Sequence, residues 1–105
     1  MNIEISPKEY EKHLHWDDAM LYCQLLTING KDDWRLPSTD ELFSIFYHDD
    51  HDFRGGYYWT SDEYEEYKEY KEYTAQAVNN IDNRKYINMK QVLYYVRPVR
   101  TIEPS

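Results

Sequence analysis

The ten residues from Asp33 to Leu42, DWRLPSTDEL, constrain this chain more than any other stretch, because they set where a helix begins and what must precede it. Ser38 stands three residues before Glu41, the spacing of a capping box. In that motif the serine hydroxyl accepts the Glu41 backbone N–H while the Glu41 carboxylate accepts the Ser38 N–H. The helix is expected to start at Thr39. Asp40 and Glu41 in its first turn suit the positive end of the helix dipole, and Pro37 holds Leu36 extended. Trp34 reads as part of a buried strand leading into that start. None of these residues is arranged for chemistry.

Periodicity supplies the remaining elements. Residues 16–26 place Trp16, Ala19, Met20, Cys23 and Leu26 on one helical face, with Asp17 and Asp18 in the first turn, and Asn29-Gly30 is expected to close that helix. The second helix, Thr39 to about Tyr47, carries Leu42, Ile45 and Phe46 at core spacing, widened by Phe43. Gly55-Gly56 turns the chain into YYWTS, an aromatic strand at 57–61. A period of two runs weakly from Tyr73 to Asn80, a hairpin turn follows at Asn80 to Asn83, and Lys85 to Met89 and Gln91 to Val96 supply further strands. Pro98 confines the last of them to an edge or an end. Two helices followed by a meander of short antiparallel strands describe an α+β domain. At 105 residues the expectation is one domain over 1–105, able to bury roughly 60–65% of its unfolded surface.

Charge and composition narrow the function classes. The net charge of −8 disfavours direct contact with nucleic-acid phosphates and favours a basic partner or plain solubility. Twelve of the eighteen aromatic residues are tyrosines, which bury a ring while keeping a polar tip wet. Cys23 is alone, so no intrachain disulfide forms, and a reducing compartment follows. No stretch reads as a signal peptide or a bilayer span, so the expected location is the cytoplasm. The acidic residues concentrate at about 62–73, where Asp62, Glu63, Glu65, Glu66, Glu69 and Glu72 meet only Lys68 and Lys71. Arg84, Lys85, Lys90, Arg97 and Arg100 cluster downstream as a basic edge. Within the acidic run Tyr64, Tyr67, Tyr70 and Tyr73 recur every third residue, which on an α-helix fans the rings over half the cylinder. The run is either a solvated insertion or a binding surface of rings and carboxylates.

In order and spacing, WDDAMLYC, DWRLPSTDEL, YYWTS and YVRPVR resemble the Legionella collagen-like adhesin C-terminal domain family, over roughly Trp16 to Arg100. The resemblance implies a C-type-lectin-like fold related to the sulfatase-modifying enzymes, with two helices packed on a small twisted antiparallel sheet and long loops that carry function. Its members are mostly binding modules, several on cell surfaces. This chain departs from exported members in lacking a signal, and it carries the acidic tyrosine run between the YWTS and TAQAV strands. Function is expected in that variable run. The tryptophans Trp16, Trp34 and Trp59 are expected in the core, and Arg35, Arg97 and Arg100 in charge-assisted bonds to Asp33, Asp40 or Glu41.

Other chemistry is thin. His48, Asp50, His51 and Asp52 form the one cluster of metal-ligand type, read as a solvated loop or a weak divalent-cation site, and no cofactor is expected. The Glu-Pro-Asn and Gln-Pro-Asp loops of calcium-dependent lectins are absent. Cys23 lies on an apolar helix face where thiols are inert, and Ser61 lacks a recognisable triad. Tyr86, Tyr94 and Tyr95 among the basic residues suggest a base-stacking platform, which the overall acidity opposes. The reading is a non-enzymatic protein-binding module. Asp62, Glu63, Tyr64, Glu65, Glu66, Tyr67, Glu69, Tyr70, Glu72 and Tyr73 would engage a basic protein surface, with no direct nucleic-acid or membrane contact. Its sharpest version is a phage-type nucleic-acid mimic that inhibits a host defence nuclease, as an anti-CRISPR protein does. The alternative is a lectin-type carbohydrate or small-ligand domain using the loops His48 to Arg54 and Tyr57 to Ser61. A third class is a homo-oligomeric assembly subunit.

Overall fold

The computed structural model describes residues 2–48, 52–63 and 72–102. The capping box forms: Glu41 N–H donates to Ser38 Oγ at 3.1 Å, and Ser38 N–H donates to Glu41 Oε1 at 2.8 Å. Helix α2 accordingly spans Thr39–His48. A third donor of its first turn, Thr39 N–H, is taken by Asp62 Oδ2 at 2.8 Å.

Helix α1 spans Trp16–Leu25 and buries Trp16, Ala19 and Cys23. Met20, expected on that face, is 38% exposed, because its position lies about 100° round the axis from Ala19. Asn29-Gly30 does not close α1. The helix ends when Leu26 turns extended. Asn29 (φ 51°) and Gly30 (φ 77°) instead form a two-residue turn between Ile28 and Lys31, whose backbones exchange two hydrogen bonds of 2.9 Å. Consecutive positive φ angles mark the tight hairpin turn that Asn-Gly favours. Trp34 is buried as expected but lies in no strand. Only its neighbour Arg35 bridges, both ways, to Val99 at 2.8 Å.

The strands are β1 (Ile3–Ile5), β2 (Lys12–Leu14), β3 (Tyr57–Glu63), β4 (Thr74–Asn79), β5 (Arg84–Met89), β6 (Tyr94–Val96) and β7 (Val99–Thr101). The two helices and mixed sheets make the architecture α+β. The connectivity departs from a meander. The main sheet has the order β2-β6-β3-β4-β5, and β1 pairs with β7 apart from it. β3, β4 and β5 form successive antiparallel pairs, but β6 returns to lie parallel to β3 and antiparallel to β2. Pro98 falls in the gap between β6 and β7, where a strand end tolerates a missing donor.

Alternation along β3 and β4 divides the core between the two faces of the sheet. Trp59, Ala75 and Ala77 join Trp16, Ala19 and Cys23 of α1, with Leu36 and Val96. Tyr58 and Val78 join Leu42, Ile45 and Phe46 of α2, with Val99. Ala75 and Ala77 lack bulk beyond Cβ, which leaves room for Trp59 and α1 above them. The hydrogen bond from Trp16 Nε1 to Thr60 O, 2.8 Å, pins the start of α1 to β3, the strand whose Asp62 also caps α2.

Candidate partner-binding face

The acidic run is the connection between β3 and β4. Tyr64, Glu65, Glu66, Tyr67, Glu69 and Tyr70 lie outside the described residues, whereas Asp62, Glu63, Glu72 and Tyr73 lie within them. Of these four, two are engaged by the fold itself. Asp62 caps α2 through Thr39. Glu63 pairs with Lys90 Nζ at 2.8 Å, and its carbonyl accepts Gln76 Nε2 at 3.1 Å. Glu72 and Tyr73 are exposed, Tyr73 to 58%.

Glu72 and Tyr73 line a shallow concavity of about 350 Å³ with His15, Asp17, Asp18, Lys90 and Gln91. Asp17 and Asp18, in the first turn of α1, stand beside the foot of the acidic run. Lys90 does not neutralise them. Its ammonium is held by Glu63 and lies 4.4 Å from the centre of the Trp16 ring. His15 Nδ1 stands 3.8 Å from Asp18 Oδ2. The concavity therefore presents three carboxylates, from Asp17, Asp18 and Glu72, beside one tyrosine ring. Spacing alone could not reveal this, because the α1 start and the β4 start are far apart in the chain.

The arginines pair mostly as expected. Arg35 holds Glu41 at both oxygens, and Arg100 holds Asp33, Nε to Oδ1 at 2.6 Å, together with Glu4. These bonds, more than any other influence, keep the Glu41 and Asp33 carboxyls below the usual carboxylate range. Arg97 differs. It is 2% exposed, and it donates to Ser6 O, Glu11 Oε1, Asp52 O and Asp52 Oδ2 while its guanidinium lies over Phe53. Glu11 in turn accepts the Tyr58 hydroxyl at 2.6 Å and faces Arg54 Nε at 3.2 Å. Burial, then the Glu11 hydrogen bond, pushes the Tyr58 phenol well up, so it stays neutral. Asp40 is exposed and takes no part in these pairs.

Burial of Arg97 removes it from the basic edge. The platform of Tyr86, Tyr94 and Tyr95 is likewise divided by the sheet. Tyr57 stacks on Tyr94 at 4.8 Å and 16°, with Tyr86 edge-on to Tyr57 at 5.2 Å. Tyr95 faces the other side, against Tyr58 and His13. Adjacent strand residues point to opposite faces, so Tyr94 and Tyr95 cannot share a surface.

In the His48 to Asp52 loop, His48 is exposed at the end of α2, and Asp50 and His51 lie outside the described residues. The Asp52 carboxylate is occupied by Arg97. Among the described residues no group of three or more His, Cys, Asp or Glu is placed to hold a metal ion. Cys23 is fully enclosed, and burial pushes its thiol up to about 12, far from thiolate chemistry at neutral pH. No described helix is long and apolar enough to cross a membrane.

No curated protein matches this chain. Residues 4–100 match the Lcl C-terminal domain, a span that contains both helices, the main sheet, the arginine pairs and the acidic connection. That match covers nearly the whole sequence, and the chain belongs to the Lcl C-terminal domain family.

Proposed function

We propose that this domain is a non-enzymatic protein-binding module whose acidic, tyrosine-bearing face engages a basic surface of a partner. The observation that supports it is the meeting of Asp17 and Asp18 with Glu72 and Tyr73 in one concavity, at the foot of the acidic run, with the adjacent Lys90 committed to Glu63. Carboxylates from the start of α1 thereby add to those of the run, a density of like charge that a cationic partner would relieve on binding. Association with a cationic surface would be fast and salt-sensitive. In its sharpest form the face stands in for nucleic-acid phosphates and inhibits a nuclease of a host defence system from within the cytoplasm. The two helices, small sheet and long connections are consistent with a C-type-lectin-like scaffold related to the sulfatase-modifying enzymes, here used for contact and not for oxidation.

The test is capture of partners from lysate by the tagged chain at low salt, compared with the Asp17→Asn/Asp18→Asn/Glu72→Gln variant. Basic proteins retained by the parent should be lost from the variant, and those retained should elute as salt rises. Equal capture by both chains would refute this face as the contact.

A second reading is favoured by the Tyr57, Tyr94 and Tyr86 rings. They are half-buried at one end of the sheet and offer the flat apolar faces on which a sugar ring stacks. A glycan array read with and without calcium decides it, since silence in both conditions removes a lectin-type role.

A further inference from the structure

β5 is the outer strand of the main sheet, and it pairs with β4 without interruption from Asn79↔Arg84 to Thr74↔Met89. One step beyond that register, Lys90 N–H donates to Tyr73 O at 2.8 Å. Tyr73 and Lys90 are therefore a hydrogen-bonded opposed pair, and in an antiparallel ladder such pairs alternate with non-bonded ones. Counting back in twos turns the amides of Asn88 and Tyr86 towards β4, and at the turn the Arg84 N–H goes to Asp82 Oδ1. The N–H and C=O groups of Lys85 and Ile87 and the N–H of Met89 point away from β4, and no described strand lies beyond them, while the Met89 carbonyl accepts the Val92 N–H at 3.1 Å.

Exposed edges are normally blunted by short length, proline, a bulge or lysines. The opposite edge, β2, is three residues long. β5 has six, with no proline, an unbroken register and a single lysine near its start. Ile87 and Met89, two apart and so on one face, are 38% and 43% exposed.

Charge along β5 is polarised. Arg84 and Lys85 are exposed at its start, where Asp82 accepts the Arg84 backbone N–H and the Tyr86 hydroxyl, and no described carboxylate forms an ion pair with either cation. Just past its end, Lys90 is neutralised by Glu63. A strand laid antiparallel would thus meet apolar side chains first and cations last. We propose that β5 is a docking edge for an extended segment of a partner protein, added as a further antiparallel strand, with apolar residues against Ile87 and Met89 and carboxylates at its C-terminal end against Arg84 and Lys85. A second copy fits less well. In a two-fold β5 pairing centred on Ile87, which opposes outward groups to outward groups, Lys85 would face Met89 and Arg84 would face Lys90, and each chain brings a net charge of −8.

The probe is a fluorescent peptide, Thr-Val-Thr-Val-Thr-Glu-Glu, whose valines fall opposite Ile87 and Met89 when its Glu pair lies opposite Lys85 and Arg84, titrated against the full chain at low salt beside the same composition with the Glu pair moved to the N-terminus. The first should bind at least about fivefold more tightly, since only it places carboxylates on the cations. Amide NMR shifts should centre on Lys85 to Met89. Ile87→Pro removes no hydrogen bond to β4 but removes an outward donor together with the partly buried Ile87 side chain, and should abolish binding while the chain stays folded. Should that variant fail to fold, Arg84→Glu/Lys85→Glu serves instead and should reverse the preference between the peptides. Equal binding of both peptides, no binding up to millimolar concentration, or shifts centred elsewhere would overturn the proposal. So would a parent dimer that Ile87→Pro dissociates, because the edge would then belong to a second copy.

Discussion

Arg35 grips Glu41 at both carboxylate oxygens, Nη1 to Oε1 at 2.8 Å and Nη2 to Oε2 at 2.9 Å, while the same carboxylate caps the Ser38 N–H. The backbone of Arg35 exchanges two hydrogen bonds with Val99. The start of α2 is thereby tied through one side chain to the C-terminal strand β7.

Glu41→Ala should destabilise the domain by about 1–2 kcal/mol, the loss of a cap together with a charge-assisted bidentate pair. Urea midpoints would measure it. The pH dependence has a definite sign. The folded Glu41 carboxyl titrates below its unfolded value, so its stabilisation is complete above that unfolded value and is lost as pH falls through the folded one. Parent stability should decline below about pH 4 more steeply than that of Glu41→Gln.

Arg97→Ala should cost more, roughly 3–5 kcal/mol, because it leaves the buried Ser6 carbonyl without its donor and takes the buried cation from Glu11, whose carboxylate keeps only the Tyr58 hydroxyl and the exposed Arg54. Thermal melting would report it. Arg97→Lys should recover little, since an ammonium cannot span Ser6, Glu11 and Asp52 as the planar guanidinium does.

At the Ile28 to Lys31 turn, Gly30→Ala should cost about 1 kcal/mol from conformation alone, because φ is +77° and a Cβ there meets nothing within 4 Å. The shift in the denaturation midpoint should come without any change in its slope.

Cys23 should resist thiol reagents at pH 8 in the native state and react fully in denaturant. Burial both shields the sulfur and pushes its ionisation up to about 12. Ready labelling of the native chain would contradict the packing of α1 on the sheet.

Local signals proved legible in proportion to how local they are. Ser38 and Glu41 are three residues apart, and the capping box they announce is present atom for atom. β3, β4 and β5 carry their own alternation and turn residues, and all three form close to where they are expected. β1 and β2 escaped notice because each has three residues, and each is a strand only by virtue of pairing with β7 and β6. Arg97 lies 86 residues from Glu11, so no spacing rule joins them. Asn29-Gly30 carried an ambiguous signal, since the positive φ that ends a helix also makes a hairpin turn. Asp17 and Asp18 have a sufficient local role in the dipole of α1, which concealed their meeting with Glu72.

Lys90 touches both legs of the β3 to β4 connection, its side chain on the Glu63 carboxylate and its N–H on the Tyr73 carbonyl. With both legs clamped by one residue, the span between the attachment points is fixed independently of what joins them. Doubling the length of the joining segment then adds only about 0.6 kcal/mol of closure entropy. Exchange of residues 64–71 for a foreign peptide should therefore leave the register of β3, β4 and β5 unchanged, as a display frame requires.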